Sequence, residues 1–321
     1  MLLKYLNSNR ISIAFLLSLL PVVYWIPSFF LTPVVIPEPS GLPLTRLINS
    51  FSRDFRLLSS LLALALIITN GYLLNQLNTI HIFIPFRTRL PAFFYIILTV
   101  SMTQLHFLTP QLIASSLVIL AFYRIFSAYK VDRISLSFLD AGILIALASM
   151  VYFQAIVLVL FLFSCLIILR PFIWREWVFT FLGLAIPYIF LISIYYITGN
   201  PLSGFLGDIA DSMQRSDDHF MLSQMINMGY VMFILLIGSY FIARALDQMK
   251  IHARKFFLVF LFIFLISLLM YLLPGAGAGL VYVISIPLAY LFTYYFVRCR
   301  PTWVNEIFIL LFLLLLIWQR F

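Results

Sequence analysis

Three arginines, Arg46, Arg53 and Arg56, lie close together in the segment from Thr32 to Arg56. On a continuous helix, at about 100° per residue, they would fall within about 80° of one another. Clustered guanidinium groups suit a phosphate or pyrophosphate, because each can donate two parallel hydrogen bonds to its oxygens. The pattern predicts a site for a lipid-linked phosphate. The alternative is an interfacial helix whose polar face is neutralised by anionic lipid.

Two acids accompany these arginines. Glu38 or Asp54 could act as a general base, since either carboxylate could take a proton from a substrate. Asp54 has a competing role as an ion-pair partner of Arg53 or Arg56, or of Arg46 one or two turns away. Pairing is the expectation for Asp54.

A second polar segment, from Thr198 to Gln224, is acidic. Asp208, Asp211, Asp217, Asp218 and His219 lie within twelve residues. Such a group could hold a hard divalent cation or act as acid and base. Its spacing matches no known metal loop, so we expect a solvated acidic face, with no metal ion and no other cofactor.

Composition indicates the surroundings of these groups. Hydrophobic residues make up 64% of the 321 and charged residues 10%, whereas soluble domains are about half apolar and a quarter charged. The excess is explained if helices face lipid. The net charge of +9 is spread over many short loops, which argues against a nucleic-acid partner.

About eleven apolar stretches are separated by these loops, and backbone groups in hydrocarbon must be paired locally, which predicts helices. The expected fold is an all-α, polytopic bundle forming a single integral membrane domain over residues 1–321. The predicted spans are 11–32, 57–75, 90–105, 111–126, 139–152, 154–169, 178–197, 225–243, 256–273, 280–297 and 303–318.

Loop charges predict the orientation. With the N-terminus inside and the C-terminus outside, fifteen lysines and arginines are cytoplasmic and five are external, as the positive-inside rule requires. The stretch 139–169 could be two short helices joined at Tyr152 to Gln154 or one bent helix. One helix would place Arg170 and Arg175 outside, which favours two.

Each long external segment contains an apolar stripe at helical spacing, which predicts two amphipathic helices in the membrane interface. The first stripe is Leu44, Leu47, Ile48, Phe51 and Phe55, and the second is Leu202, Phe205, Leu206, Ile209 and Met213.

Several function classes are disfavoured. No charged residue lies at the centre of a predicted span, which argues against a proton pump or an ion channel. The sequence also lacks a phosphate-binding glycine-rich loop and a His-Glu-x-x-His motif, which argues against an ATP-driven motor and a membrane metalloprotease.

The order of the elements over residues 10–200 resembles the membrane module of the GT-C glycosyltransferases, with 201–321 as further spans. The resemblance is carried by the first external segment followed by Arg87 to Phe93, His106 to Pro110, Leu120 to Arg124 and Leu139 to Ala148. The chain is also similar to an uncharacterised family of multi-pass proteins of Bacteroidota-type bacteria, which implies no activity.

The GT-C resemblance implies a protein of envelope glycan or lipid-carrier metabolism in the bacterial cytoplasmic (inner) membrane. A polyprenyl-phosphate carrier would be the partner, Arg46, Arg53 and Arg56 would hold its phosphate, and Glu38 or Asp54 would be the base. The Asp-Glu pair that often serves the family is missing here, so catalysis stays open.

Two other functions stay open. One is a non-enzymatic subunit or scaffold of an envelope complex, with another membrane protein as partner. The other is a transporter of an amphipathic solute, with helices broken near the run from Gly275 to Gly279.

Overall fold

The computed structural model shows a helical protein, in agreement with the all-α prediction: every regular element in its described residues is a helix. The described residues are 19, 21–25, 41–84, 88–100, 106–129, 135–170, 172–199, 202–213, 251–273, 275, 277–298, 306–308, 310–311 and 314.

Ten longer helices lie in the described ranges of the chain. They are α1 (Pro43–Asp54), α2 (Arg56–His81), α3 (Leu90–Val100), α4 (Pro110–Ser127), α5 (Ser135–Val151), α6 (Leu158–Leu169), α7 (Trp174–Ile197), α8 (Leu202–Ser212), α9 (Ile251–Tyr271) and α10 (Val281–Arg298). Short 3-10 segments, Phe153–Val157 and Ala278–Leu280, precede α6 and α10.

Five helices of the described chain are long and apolar enough to cross a membrane: α2, α4, α7, most of α9, and Ala278–Val297, which includes most of α10. α2 has 26 residues and is about 39 Å long, more than the roughly 30 Å of a hydrocarbon core. Shorter apolar helices cover Leu90–Val100, Leu136–Val151 and Phe153–Leu169. The predicted spans 11–32, 225–243 and 303–318 lie wholly or largely outside the described residues, so the count of eleven stays a prediction.

The stretch 139–169 contains two helices. The backbone leaves α5 at Tyr152 (φ −138°, ψ 101°) and resumes as a 3-10 turn. At the end of α6, Arg170 donates to the carbonyl oxygen of Ala128, just after α4, and pairs with Glu176 at the start of α7. α5 runs parallel to α7, since Gly142 faces Thr180 and Ser149 contacts Tyr188. α6 ends beside the start of α7, so α5 and α6 are antiparallel. This agrees with the two-helix prediction.

The helices meet at two ends of the bundle. We call one the basic end; it holds Arg124, Arg170 and Lys255. There His81 of α2 lies 5.7 Å, between ring centroids, from Phe126 of α4, and Lys255 Nζ donates to the Leu169 carbonyl oxygen at 3.4 Å. We call the other, where α1 and α8 lie, the opposite end. Which of them faces the cytoplasm stays a prediction from the charges.

The core is rich in aromatic rings, and α3 lies entirely inside it. All eleven residues from Leu90 to Val100 are buried. Phe94 of α3 stacks on Phe296 of α10 with ring centroids 5.1 Å apart and contacts Phe292 at 5.7 Å. At the basic end, Phe83 packs on Tyr290 at 4.9 Å. These contacts bind the first third of the chain to its last third.

Candidate functional site

The first predicted amphipathic segment forms a helix, α1, but this helix ends before Arg56; its place at the membrane interface stays a prediction. α1 begins at Pro43, whose missing N–H suits the first turn, and ends at Asp54, since Phe55 leaves the helical region (φ −120°, ψ 61°). Arg56 is therefore the first residue of α2. The angular argument that placed all three arginines on one continuous helix is wrong for Arg56.

One side of α1 is bound to the bundle through small polar residues. Thr45, Asn49 and Ser52 recur at i, i+4 and i+7, and Asn49 and Ser52 are buried. Thr45 Oγ1 donates to the Val151 carbonyl oxygen at 2.8 Å, at the end of α5. Ser52 Oγ donates to the Leu108 carbonyl oxygen, also at 2.8 Å. These bonds fix the rotation of α1 about its own axis.

That rotation determines where the other two faces point. At about 100° per residue, the stripe of Leu44, Leu47, Ile48 and Phe51 lies roughly 110° from the bound side. Arg46 and Arg53 lie nearly opposite the stripe by the same measure. Leu44, Ile48 and Phe51 are half-buried and pack against buried residues of the bundle, whereas Leu47 is exposed. Arg53 is exposed on the other side of α1, so the guanidinium groups point away from the apolar stripe.

The junction of α1 and α2 is held by hydroxyl groups. Ser59 Oγ donates to Ser52 Oγ at 3.0 Å and accepts from the Leu108 N–H at 2.8 Å. One residue further on, Ser60 Oγ accepts from Trp25 Nε1 at 2.8 Å. All of these groups are buried, where hydrogen bonds that are fully made rigidify their surroundings. The position of Arg53 and Arg56 around this bend is therefore well defined.

Arg46 has a partner that its own segment does not supply. Its Nη2 pairs with Oδ1 of Asp208 on α8, and the Tyr195 hydroxyl donates to Oδ2 of the same carboxylate. The side chain of Asp208 is 13% exposed and that of Arg46 is 43% exposed. The expected pairing of Asp54 with a nearby arginine stays a prediction, whereas the Arg46–Asp208 pair was not expected.

The second predicted interfacial helix, α8, is bound against α1 and α7. Gln154 Nε2 donates to the Ser212 carbonyl oxygen at 2.8 Å, and the Phe205 ring lies 5.5 Å from the Tyr195 ring. Gly41 has φ +88°, and a Cβ there would come within 2.7 Å of Ser212 Oγ. Two segments that the sequence treats separately thus form one surface, made of α1 and α8, at the opposite end.

The other residues predicted for the site are either exposed or outside the described ranges. Asp54, Arg56 and Asp211 are exposed. Glu38, Asp217, Asp218 and His219 lie outside the described residues. Within the described ranges, no three His, Cys, Asp or Glu side chains converge as metal ligands would, and Asp208 is already neutralised by Arg46. Tyr195 was missed because a tyrosine at the end of an apolar span is common at a membrane interface.

The glycine run from Gly275 to Gly279 lies at the same end as α1. Gly275 has φ +78°, and a Cβ at Gly279 would come within 2.8 Å of the Gln111 side chain, at the start of α4. Glycine is needed here for a turn and for a close approach. This position in a helix connection agrees with the expected packing role and gives no support to a transporter with a helix broken at mid-membrane.

The chain matches no protein-family model, no curated protein and no solved structure. The resemblance to the GT-C glycosyltransferases and to the multi-pass family of Bacteroidota-type bacteria therefore stays a prediction from the sequence.

Proposed function

We propose that this chain is an inner-membrane protein of envelope glycan or lipid-carrier metabolism that binds a lipid-linked phosphate beside α1. The observation that carries the proposal is the division of α1 into an apolar side, which packs partly on the bundle and exposes Leu47, and a guanidinium side. An interfacial helix has its apolar stripe in the acyl region and its cations at headgroup level. A polyprenyl-phosphate carrier places its tail and its phosphate at the same two depths.

The charges at this end favour an anion. Arg46 and Arg53 share one side of α1, and Arg56 begins α2, whose first turn contains no acidic residue. The N-terminus of a helix carries a partial positive charge and suits phosphate groups. Arginine can bind a phosphate with two parallel hydrogen bonds. The orientation predicted from loop charges places this site at the outer face of the membrane.

The acidic residues near the site favour a protein that binds the carrier without catalysing a reaction on it. Both oxygens of Asp208 already accept contacts from Arg46 and Tyr195, which suits a structural carboxylate better than a general base. For a GT-C-like transferase, Asp54 is the candidate base among the described residues. A transferase would lose turnover in Asp54→Asn while it retained carrier binding.

The test is a binding measurement with the protein in phosphatidylcholine nanodiscs, titrated with a polyprenyl monophosphate. The variant replaces Arg46, Arg53 and Arg56 together with glutamine. We expect its affinity to fall at least about tenfold, which corresponds to losing about 1.4 kcal/mol of phosphate interaction. Arg124→Gln removes an exposed arginine at the basic end and should bind as the unmodified protein does.

Two further ligands identify what is recognised. Polyprenol, which lacks the phosphate, should bind weakly to both proteins, and phosphatidylglycerol distinguishes a general preference for anionic lipid from recognition of the carrier. The proposal fails if the triple variant binds the polyprenyl phosphate as tightly as the unmodified protein, or if phosphatidylglycerol competes with it on equal terms.

A further inference from the structure

The carboxylate of Asp208 is held by contacts beyond its ion pair with Arg46. Its Oδ2 accepts from the hydroxyl of Tyr195, a buried residue on α7 whose ring packs on Phe205. The backbone of α8 is held as well, through the bond from Gln154 to Ser212. Asp208 is thus a fixed anion that holds the Arg46 guanidinium.

Among the described residues, the contact that holds Arg46 uses one of its nitrogen atoms. A guanidinium group carries five N–H donors in a planar fork, and the contact with Asp208 uses Nη2. The Arg46 side chain is 43% exposed, so donors on the rest of the fork can reach a ligand. An arginine side chain that is ordered before the ligand arrives loses less conformational entropy on binding, which strengthens the interaction.

We infer that Asp208, supported by Tyr195, is a positioning residue that orients the Arg46 guanidinium toward the phosphate of the lipid ligand. This inference rests on the proposed function and adds the residues that set the geometry of its site. The opposite arrangement is a carboxylate that competes with the phosphate for Arg46. The two arrangements predict affinity changes of opposite sign when the charge of Asp208 is removed.

The experiment uses Asp208→Asn and Tyr195→Phe in phosphatidylcholine nanodiscs with the polyprenyl monophosphate as ligand. Positioning predicts that Asp208→Asn weakens binding about three- to tenfold, and that Tyr195→Phe weakens it by a smaller factor. One matched control is Asp140→Asn, which removes an aspartate paired with Arg124 at the basic end. The other is Tyr188→Phe, which removes a tyrosine hydroxyl on α7, the helix of Tyr195; this hydroxyl contacts Ser149 of α5 at 2.7 Å. Both should leave affinity unchanged.

A double-mutant cycle separates positioning from a general effect on the fold. If Asp208 acts through Arg46, adding Asp208→Asn to Arg46→Gln causes no further loss of affinity, because coupled residues are not additive. Polyprenol binding should not change in any of these variants. Tyr195→Phe keeps the test valid if Asp208→Asn unfolds, because it retains the ion pair and removes one hydroxyl.

Unchanged or tighter binding by Asp208→Asn overturns the inference, as does an additive double variant. Failure of the proposed function has a different result: the unmodified protein then shows no preference for the polyprenyl phosphate over polyprenol. The inference fails with it in that case, and the two failures are told apart by the unmodified protein alone.

Discussion

Two ion pairs near the basic end of the bundle differ in exposure, and therefore in what they contribute to stability. Arg170 Nη1 lies 2.7 Å from Glu176 Oε1, with side chains 8% and 5% exposed. Arg124 Nε lies 3.4 Å from Asp140 Oδ2, with side chains 58% and 39% exposed. Removing one member of a buried pair leaves a charge without its counter-charge, whereas exposed pairs contribute little.

Glu176→Gln should destabilise the protein by about 3–5 kcal/mol, because Arg170 would remain buried without its counter-charge. Asp140→Asn, the exposed counterpart, should change stability by at most about 1 kcal/mol. The measurement is the thermal unfolding midpoint of the purified variants in one detergent. Equal midpoints for the two variants would contradict the difference that burial predicts.

Residue patterns predicted part of the candidate site. Helical spacing identified the stripes of both amphipathic helices. Arg46, Arg53 and Arg56 were apparent because the positive-inside rule disfavours basic residues in an external segment. The Arg46–Asp208 pair joins residues 162 positions apart, and no local pattern in one sequence connects such positions. Tyr195 was missed as well, because its hydroxyl meets Asp208 only once α8 packs against α7.

At the scale of the elements, α5 and α7 approach each other through glycine. A Cβ on Gly183 would overlap the Leu139 carbonyl oxygen, and one on Gly142 would come within 2.9 Å of the Thr180 carbonyl oxygen. Helices that meet in lipid gain attraction by close backbone contact, which small residues allow. The same contact brings Ser149 of α5 to Tyr188 of α7, two turns before Tyr195.

Gly183→Ala should therefore destabilise the protein by about 1–3 kcal/mol, because the new methyl group meets backbone that cannot rotate away. Gly207→Ala is the control: a Cβ at Gly207 has no neighbour within 4 Å in the described structure, and alanine is the better helix former. Thermal unfolding in one detergent compares them. A Gly183→Ala midpoint at or above that of Gly207→Ala would contradict the contact.

The sequence predicted helix boundaries where an apolar stretch ends. The interruption at Tyr152 to Gln154 was apparent because two apolar stretches end there and the later loop charges require a return. The bend at Phe55 was not predicted, because the apolar spacing continues through it. It depends instead on hydroxyl groups of Ser52 and Ser59 that bind Leu108, more than 40 residues further along the chain.

At the scale of the whole molecule, the charges agree with a bundle whose ends differ. Arg124, Arg170 and Lys255 come together at one end, although they lie at the ends of different helices, while Arg46 and Asp208 meet at the other. The loop charges predicted that Arg124, Arg170 and Lys255 lie on one side of the membrane and Arg46 on the other. The side that each end faces depends on the membrane, and the positive-inside rule assigns the basic end to the cytoplasm.

Single cysteines test that assignment in a background where Cys165 and Cys299 are replaced by alanine. Ser127→Cys, exposed at the basic end, should react with a membrane-impermeant maleimide only after intact cells are opened. Ser50→Cys on α1 should react in intact cells, because α1 is predicted to lie outside. The reverse pattern would invert the topology and move the proposed phosphate site to the cytoplasmic face.

The burial of α3 has a consequence for how this protein is made. Phe94 is covered by Phe292 and Phe296 of α10, which leaves the ribosome roughly 180 residues later, a delay of about 10–40 s at ordinary rates of synthesis. During that interval α3 cannot have its final neighbours, so lipid or an insertion factor must shield a helix that later has no lipid contact. Completion of the bundle therefore awaits one of its last helices.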